Sequence, residues 1–186
     1  MLLSQFIPQK ISYTGRQLQP QWACREWGLL GDVVVSFIGP CDVEREAMVD
    51  LEDVRAGARI YSPLMLHFII EHFRPDLELA VARQRLFMAI VCERLNARLG
   101  RVQFRRHGDD LFDGEHKLSI SIAAVSPVSA LIHVGLNIRT EGVPVPACGL
   151  AEYGIEAAEF AVEAMTAYRE EIEGMERARC KARPVL

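Results

Sequence analysis

The spacing of apolar positions changes several times along this chain, and each change predicts a new element. Residues 10–18 (KISYTGRQL) read as a short strand that turns at Gly15. Gln19-Pro20 then introduces a helical turn through Trp22, Ala23 and Trp27 that stops at Gly28 or Gly31. Residues 32–38 (DVVVSFI) are rich in β-branched and aromatic side chains and lie between Gly31 and Gly39-Pro40, which predicts a well-buried strand. Apolar and acidic residues alternate over 48–53 (MVDLED), as in a strand with one polar face. Ser62-Pro63 has the form of an N-cap followed by proline at the first helical position, so LMLHFIIEHF reads as a helix to about Phe73.

The strongest helical signal covers residues 77–99. Asp76 supplies the cap and Gly100 the stop. Leu79, Leu86 and Ile90 line one side, and Phe87, Val91, Leu95 and Leu99 widen it at four-residue steps, as expected of a helix lying on a sheet. A run of strands follows from Val102 to Ile138, broken by turns. A last helix is expected over 155–173, with Ala158, Val162 and Met165 on its inner side, and a basic tail from about residue 175 is expected to be mobile. There is no internal repeat and no low-complexity linker. Strands and helices are segregated, which predicts one α+β domain over residues 1–186: a mixed, mostly antiparallel sheet with helices packed largely on one face.

Composition narrows the function. A length of 186 residues suits a single core, and a chain half hydrophobic and one quarter charged is folded rather than disordered. The net charge of −4 provides no broad basic surface, so nucleic acid is not the expected partner. No apolar run is long enough to span a bilayer, and MLLSQFIPQK lacks the layout of a signal peptide. Cys24, Cys41, Cys92, Cys148 and Cys180 are scattered and form no CxxC pair. Neither zinc nor a disulfide framework is expected, and the cytoplasm is the expected compartment. His67 and His72, five apart on the expected helix, do not share a face and make no metal pair.

The candidate chemistry lies between Arg105 and Leu150. If the strand over 117–125 is regular, Lys117, Ser119 and Ser121 share one face. In the next strand His133, Gly135 and Asn137 share one face. An odd-numbered loop between them would set Ser121 opposite His133, Ser119 opposite Gly135 and Lys117 opposite Asn137. That row of small and polar groups, with a glycine leaving room for a ligand, suits an anionic or carbonyl-bearing molecule. Lysine offers it a positive point charge. Asp109 and Asp110 precede Lys117 across the turn at Gly114 and can orient the lysine or hold a metal bound to phosphate. An ordinary solvated hairpin face with a hydrated Lys117 fits the same pattern. Asp50, Glu52 and Asp42 are a second acidic group that either lines a pocket, holds a divalent cation, or edges a solvated strand.

The segment from Gly108 to Ala123, GDDLFDGEHKLSISIA, resembles the catalytic-lysine segment of the biotin and lipoate protein ligases, and IHVGLNI from Ile132 to Ile138 resembles the strand that follows it there. The resemblance implies the α+β catalytic fold shared with class II aminoacyl-tRNA synthetases. It implies ATP and Mg²⁺ as cofactors, a small carboxylic acid or acyl group as ligand, an acceptor protein, and a homodimer. Carried over, Lys117 stabilises charge on an acyl-adenylate and Asp110 helps place it. Gly114, Ser119, Ser121, His133, Gly135 and Asn137 become substrate or nucleotide contacts. VPACGL, ending at Leu150, resembles the Pro-Cys-Gly motif of the octanoyl transferases of the same superfamily, which implies Cys148 as a thioester-forming nucleophile beside Lys117. Ala147 stands where that motif has proline, and Ile120 where the ligases have glycine. No Gly-rich arginine loop occurs between Gly28 and Tyr61; Tyr13-Thr14-Gly15-Arg16 is the segment expected to replace it, with Arg16 as its binding residue. Three readings follow: an ATP-dependent acid ligase centred on Lys117, an acyltransferase using Cys148, or a binding module without turnover.

Overall fold

The computed structural model describes residues 1–185. Five strands form the main sheet in the order β1-β2-β3-β8-β7. These are β1 (Leu3–Ile7), β2 (Val33–Asp42), β3 (Tyr61–His72), β7 (Ser119–Val125) and β8 (Ala130–Arg139). Among the described strands of this sheet only β1 and β2 run parallel; the other neighbouring strands are antiparallel. A small sheet of β4 (Arg105–His107), β5 (Asp110–Asp113) and β6 (His116–Lys117) precedes β7. The long helices α3 (Leu77–Leu99) and α4 (Ala157–Lys181) cover one face. α3 packs across β7 and α4 across β1. The mixed, mostly antiparallel sheet with its main helices on one face is the expected α+β arrangement.

The sheet has two apolar faces. Val34, Leu66, Phe68, Ile70, Ile132, Val134 and Leu136 join Phe87, Phe160 and Tyr168 beneath the helices. On the opposite face Val33, Val35, Phe37, Met65 and Ile69 join Tyr13 and Trp22, the latter on α1 (Trp22–Trp27), which ends at Gly28 as expected. This second core explains why residues 61–72 form a strand and not the expected helix. β3 is central, paired on its edges with β2 and β8 and covered by the helices on one face and the second core on the other, so its apolar run is continuous instead of alternating. Pro63 is tolerated because the ladder to β2 shifts between Gly39 and Cys41 and the ladder to β8 between Leu64 and Met65.

Three other expectations change. The first strand is Leu3–Ile7, and residues 10–18 contribute only a bridge between Tyr13 and Cys41. Residues 48–53 are no strand: a 3₁₀ turn at Arg45–Ala47 leads into the short helix α2 (Leu51–Ala56). Oδ1 of Asp50 caps that helix by accepting from the Glu52 and Asp53 amides at 2.7 and 3.4 Å. In α4 the inner side runs through Ala157, Phe160, Ala161, Ala164, Met165, Tyr168 and Ile172, while Val162 is exposed. The helix continues to Lys181, past the expected end at 173. His67 and His72 lie on a strand, where an odd spacing again sends them to opposite faces.

Candidate functional site

The hairpin register differs by one residue from the expected one. Val125 pairs with Ala130, so the loop over 126–129 is even-numbered. Its shape comes from Ser126, whose Oγ accepts from the Val128 and Ser129 amides at 3.2 and 3.0 Å. Ile122 therefore faces His133 and Ile120 faces Gly135, while Ser119 pairs with Leu136 and Ser121 with Val134. A one-residue slip exchanges the faces of a strand. Ser119 and Ser121 are thereby turned toward α3 and the small sheet: Ser119 Oγ accepts from the Leu111 amide at 2.8 Å, and Ser121 Oγ accepts from Gln84 Nε2 at 2.6 Å. Nor does Gly135 leave open space. A β-carbon there would run into the Met65 thioether, which lies over it.

Lys117 nevertheless reaches the cavity side, because Leu118 interrupts the alternation. Leu118 is fully buried in the core beneath the helices, and its amide donates to the Leu111 carbonyl at 2.8 Å. The Lys117 backbone is held on both sides. Its amide donates to Pro146 at 2.9 Å, and its carbonyl accepts from the Cys148 amide at 3.2 Å and Asn137 Nδ2 at 3.3 Å. The ammonium Nζ lies 2.7 Å from Asp110 Oδ2. Burial pushes the Asp110 carboxyl above its usual range, against the pull of Lys117. Asp109 is held apart by Gln84 Nε2 at 3.2 Å and Arg85 at 3.6 Å.

Above the sheet face opposite the helices lies a cavity of about 280 Å³. Ile120, Ile122 and His133 form its floor, Lys117, Asp109 and Asp110 one end, and Asp50, Glu52 and Asp53 of the α2 region the roof. Asp50 and Glu52 thus do line a pocket, through a helix start and not a strand face. Burial, with Asp50 nearby, raises the Asp53 carboxyl, and Lys117 opposes that shift. A second cavity of about 140 Å³ adjoins the first and shares Lys117, Ile120, Asp53 and Ile60 with it. Asn137, Arg59, Tyr61 and Pro144 line its far side. Asn137 Oδ1 is buried there without a hydrogen-bond partner.

Buried aromatic rings support the first cavity. Tyr13 stacks on His133 with centroids 3.7 Å apart and planes at 10°. His133 Nε2 lies 3.1 Å from His67 Nδ1, and His67 Nε2 lies 3.3 Å from the Gly39 carbonyl. Burial lowers both imidazoles, His67 to about 3, so both rings are neutral. Spacing along the chain does not mark His67, Asp53 or Ile60 as site residues. Tyr13 and Leu18 bring the segment over 13–18 into the cavity wall, whereas Arg16 points outward to Glu44 at 2.9 Å.

Two other expected residues lie outside both cavities. Gly114 adopts φ +54 in the turn between β5 and β6. Cys148 is 3% exposed within the core beneath the helices, its thiol directed at the His116 carbonyl at 3.6 Å. Burial raises that thiol above its ordinary value. The cavity carboxylates are dispersed: among the described residues no three His, Cys, Asp or Glu side chains are grouped to hold a metal ion. No described helix is long and apolar enough to cross a membrane.

A family model described as a domain of unknown function, DUF366, matches residues 2–183. The chain belongs to the DUF366 family. An uncharacterised protein of Methanocaldococcus jannaschii is 33% identical to this DUF366 chain over 97% of it and 84% of the relative. The solved structure of a protein of unknown function from Pyrococcus horikoshi superimposes with a TM-score of 0.95 at 43% identity, over 100% of both chains. At lower identity the DUF366 fold matches biotin and lipoate protein ligases. The biotin protein ligase of Aquifex aeolicus in complex with biotin and ATP gives a TM-score of 0.58 at 15% identity, over 90% of this chain and 70% of that one. Lipoate-bound neighbours lie in the same range. The DUF366 chain thus has the fold of the biotin and lipoate ligases.

Proposed function

We propose that this protein binds a small carboxylic acid in the larger cavity and activates it with ATP as an acyl-adenylate. The observation that carries this reading is the position of Lys117 where the two cavities adjoin. An ammonium there would lie beside both the acid's carboxylate and the α-phosphate that it attacks, and it would stabilise the charge that develops between them. The smaller cavity supports the nucleotide half. Asn137 Oδ1 is enclosed and unpartnered, and a small rotation of its side chain would present it to an N–H donor such as the exocyclic amine of adenine. Arg59 stacked on Tyr61 adds a cation at its edge, 4.4 Å from the ring centroid. Asp110 positions the ammonium through their ion pair. In this reading the acyl group passes from the adenylate to an acceptor, and protein acceptors and a homodimeric assembly belong to the proposal.

Chemistry through Cys148 receives less support. Its thiol is buried, lines neither cavity, and is raised away from the thiolate. The test is acid-dependent exchange of labelled pyrophosphate into ATP, run with biotin, lipoate and octanoate on wild type and Lys117→Ala. Exchange that requires Lys117 is expected. Exchange that persists in Lys117→Ala, or that no acid supports, would remove the proposal.

A further inference from the structure

The two buried histidines determine each other's protons. The Gly39 carbonyl can only accept, so His67 Nε2, 3.3 Å away, carries the hydrogen. His67 is neutral, so its Nδ1 holds a lone pair. That lone pair faces His133 Nε2 at 3.1 Å, and His133 Nε2 must therefore carry a hydrogen. One hydrogen remains to each neutral ring, which leaves a lone pair on His133 Nδ1. His133 is 2% exposed and lines the larger cavity. Its Nδ1 has no hydrogen-bond partner among the described residues, yet it is not one of the fully enclosed unpartnered atoms. Tyr13 covers the flat face of the ring, so the free nitrogen is reached only at the ring edge. The charged lining sets Asp50, Glu52, Asp53, Asp109 and Asp110 against Lys117, and the Ser121 hydroxyl already donates to the Asp109 carbonyl at 2.8 Å.

We infer that the bound molecule donates a hydrogen bond to His133 Nδ1, so that the cavity selects acids carrying an N–H or O–H group away from the carboxylate over acids with a purely apolar body. This names a substrate class for the site proposed above and rests on that reading. The physical basis is the cost of covering a buried acceptor with a methylene chain that cannot pair with it. His67 is a positioning residue here: it touches no ligand and acts by holding the His133 tautomer.

The experiment has two arms. In the ligand-free protein, long-range proton–nitrogen NMR reads which ring nitrogen is protonated. Both rings are expected to carry hydrogen on Nε2, and a His133 protonated on Nδ1 would overturn the inference. In the second arm, calorimetry compares two pairs of acids, biotin with lipoate and 8-hydroxyoctanoate with octanoate. The N–H- or O–H-bearing member of each pair is expected to bind at least about tenfold tighter. His133→Phe keeps the stacking but should abolish that ratio. His67→Gln can donate to Gly39 and accept from His133, so it should preserve the ratio, whereas His67→Phe should lose it. Equal or tighter binding of the apolar acids, or binding by none, would overturn the inference. Pyrophosphate exchange separates the two proposals. Lys117-dependent exchange with lipoate or octanoate at least as good as with biotin would leave acid activation standing and remove the donor requirement. Selective binding without exchange by any acid would do the reverse.

Discussion

Nζ of Lys117 lies 2.7 Å from Oδ2 of Asp110, across the turn that joins β5 to β6. Both side chains are largely buried, at 30% and 20% exposure, so neither drifts far from the other. Lys117→Ala should abolish acid-dependent pyrophosphate exchange, by a factor on the order of a hundred or more. Asp110→Asn keeps the shape but frees the ammonium. It should lower the exchange rate about tenfold while leaving some activity, because the charge remains and only its placement is lost. Rate measurements at saturating ATP distinguish the two variants.

Gly135 leaves its β-carbon space to the thioether of Met65. Gly135→Ala should therefore destabilise the fold by about 1–3 kcal/mol through overpacking. Met65→Ala added to it should recover part of that loss, because the flexible side chain is the obstacle. Urea unfolding of the two single variants and the double variant measures the coupling.

Acid should destabilise the protein earlier than ordinary carboxylate titration would. The folded-state values of His67 and His133 are depressed. Unfolded imidazoles therefore take up protons first, and stability is lost as pH falls below the ordinary value of 6.5, continuing for His67 toward about 3. Tyr13, Phe37 and Cys41 surround the pair and offer no carboxylate to a charged ring. Each ring contributes a slope of up to about 1.4 kcal/mol per pH unit in that window. Asp110 and Asp53 act in the opposite sense, since raised carboxyls favour the folded state as pH falls. Urea midpoints between pH 7.5 and 4.5 should fall, and fall less steeply in His67→Gln.

Cys148 should behave as a small core residue. Cys148→Ala is expected to cost about 1 kcal/mol of stability and to leave exchange within about twofold of wild type. Intact-mass measurement after incubation with an acyl donor should show no adduct at this position. A thioester there would restore the acyltransferase reading.

Much of this protein is legible from neighbouring residues. The residue pattern specified α3 with both its caps, α1, the core of β2 and the α+β class, because these rest on local signals: helical periodicity, capping residues, a β-branched run between glycines. It also picked out Lys117 and Asp110, which lie close along the chain on either side of one tight turn. What required the tertiary structure was every feature set by a partner distant in sequence. Residues 61–72 became a strand because a second core, built from Tyr13, Trp22 and Phe37, buries the face that a helix would have left to solvent. The even-numbered loop at 126–129 exchanged the faces of β7, turning Ser119 and Ser121 inward and setting Ile120 and Ile122 under the cavity. α2 brought Asp50, Glu52 and Asp53 over that floor. The pairing of His67 with His133, 66 residues apart, has no local signature, since periodicity describes which face a residue takes and not which strand will lie beside it.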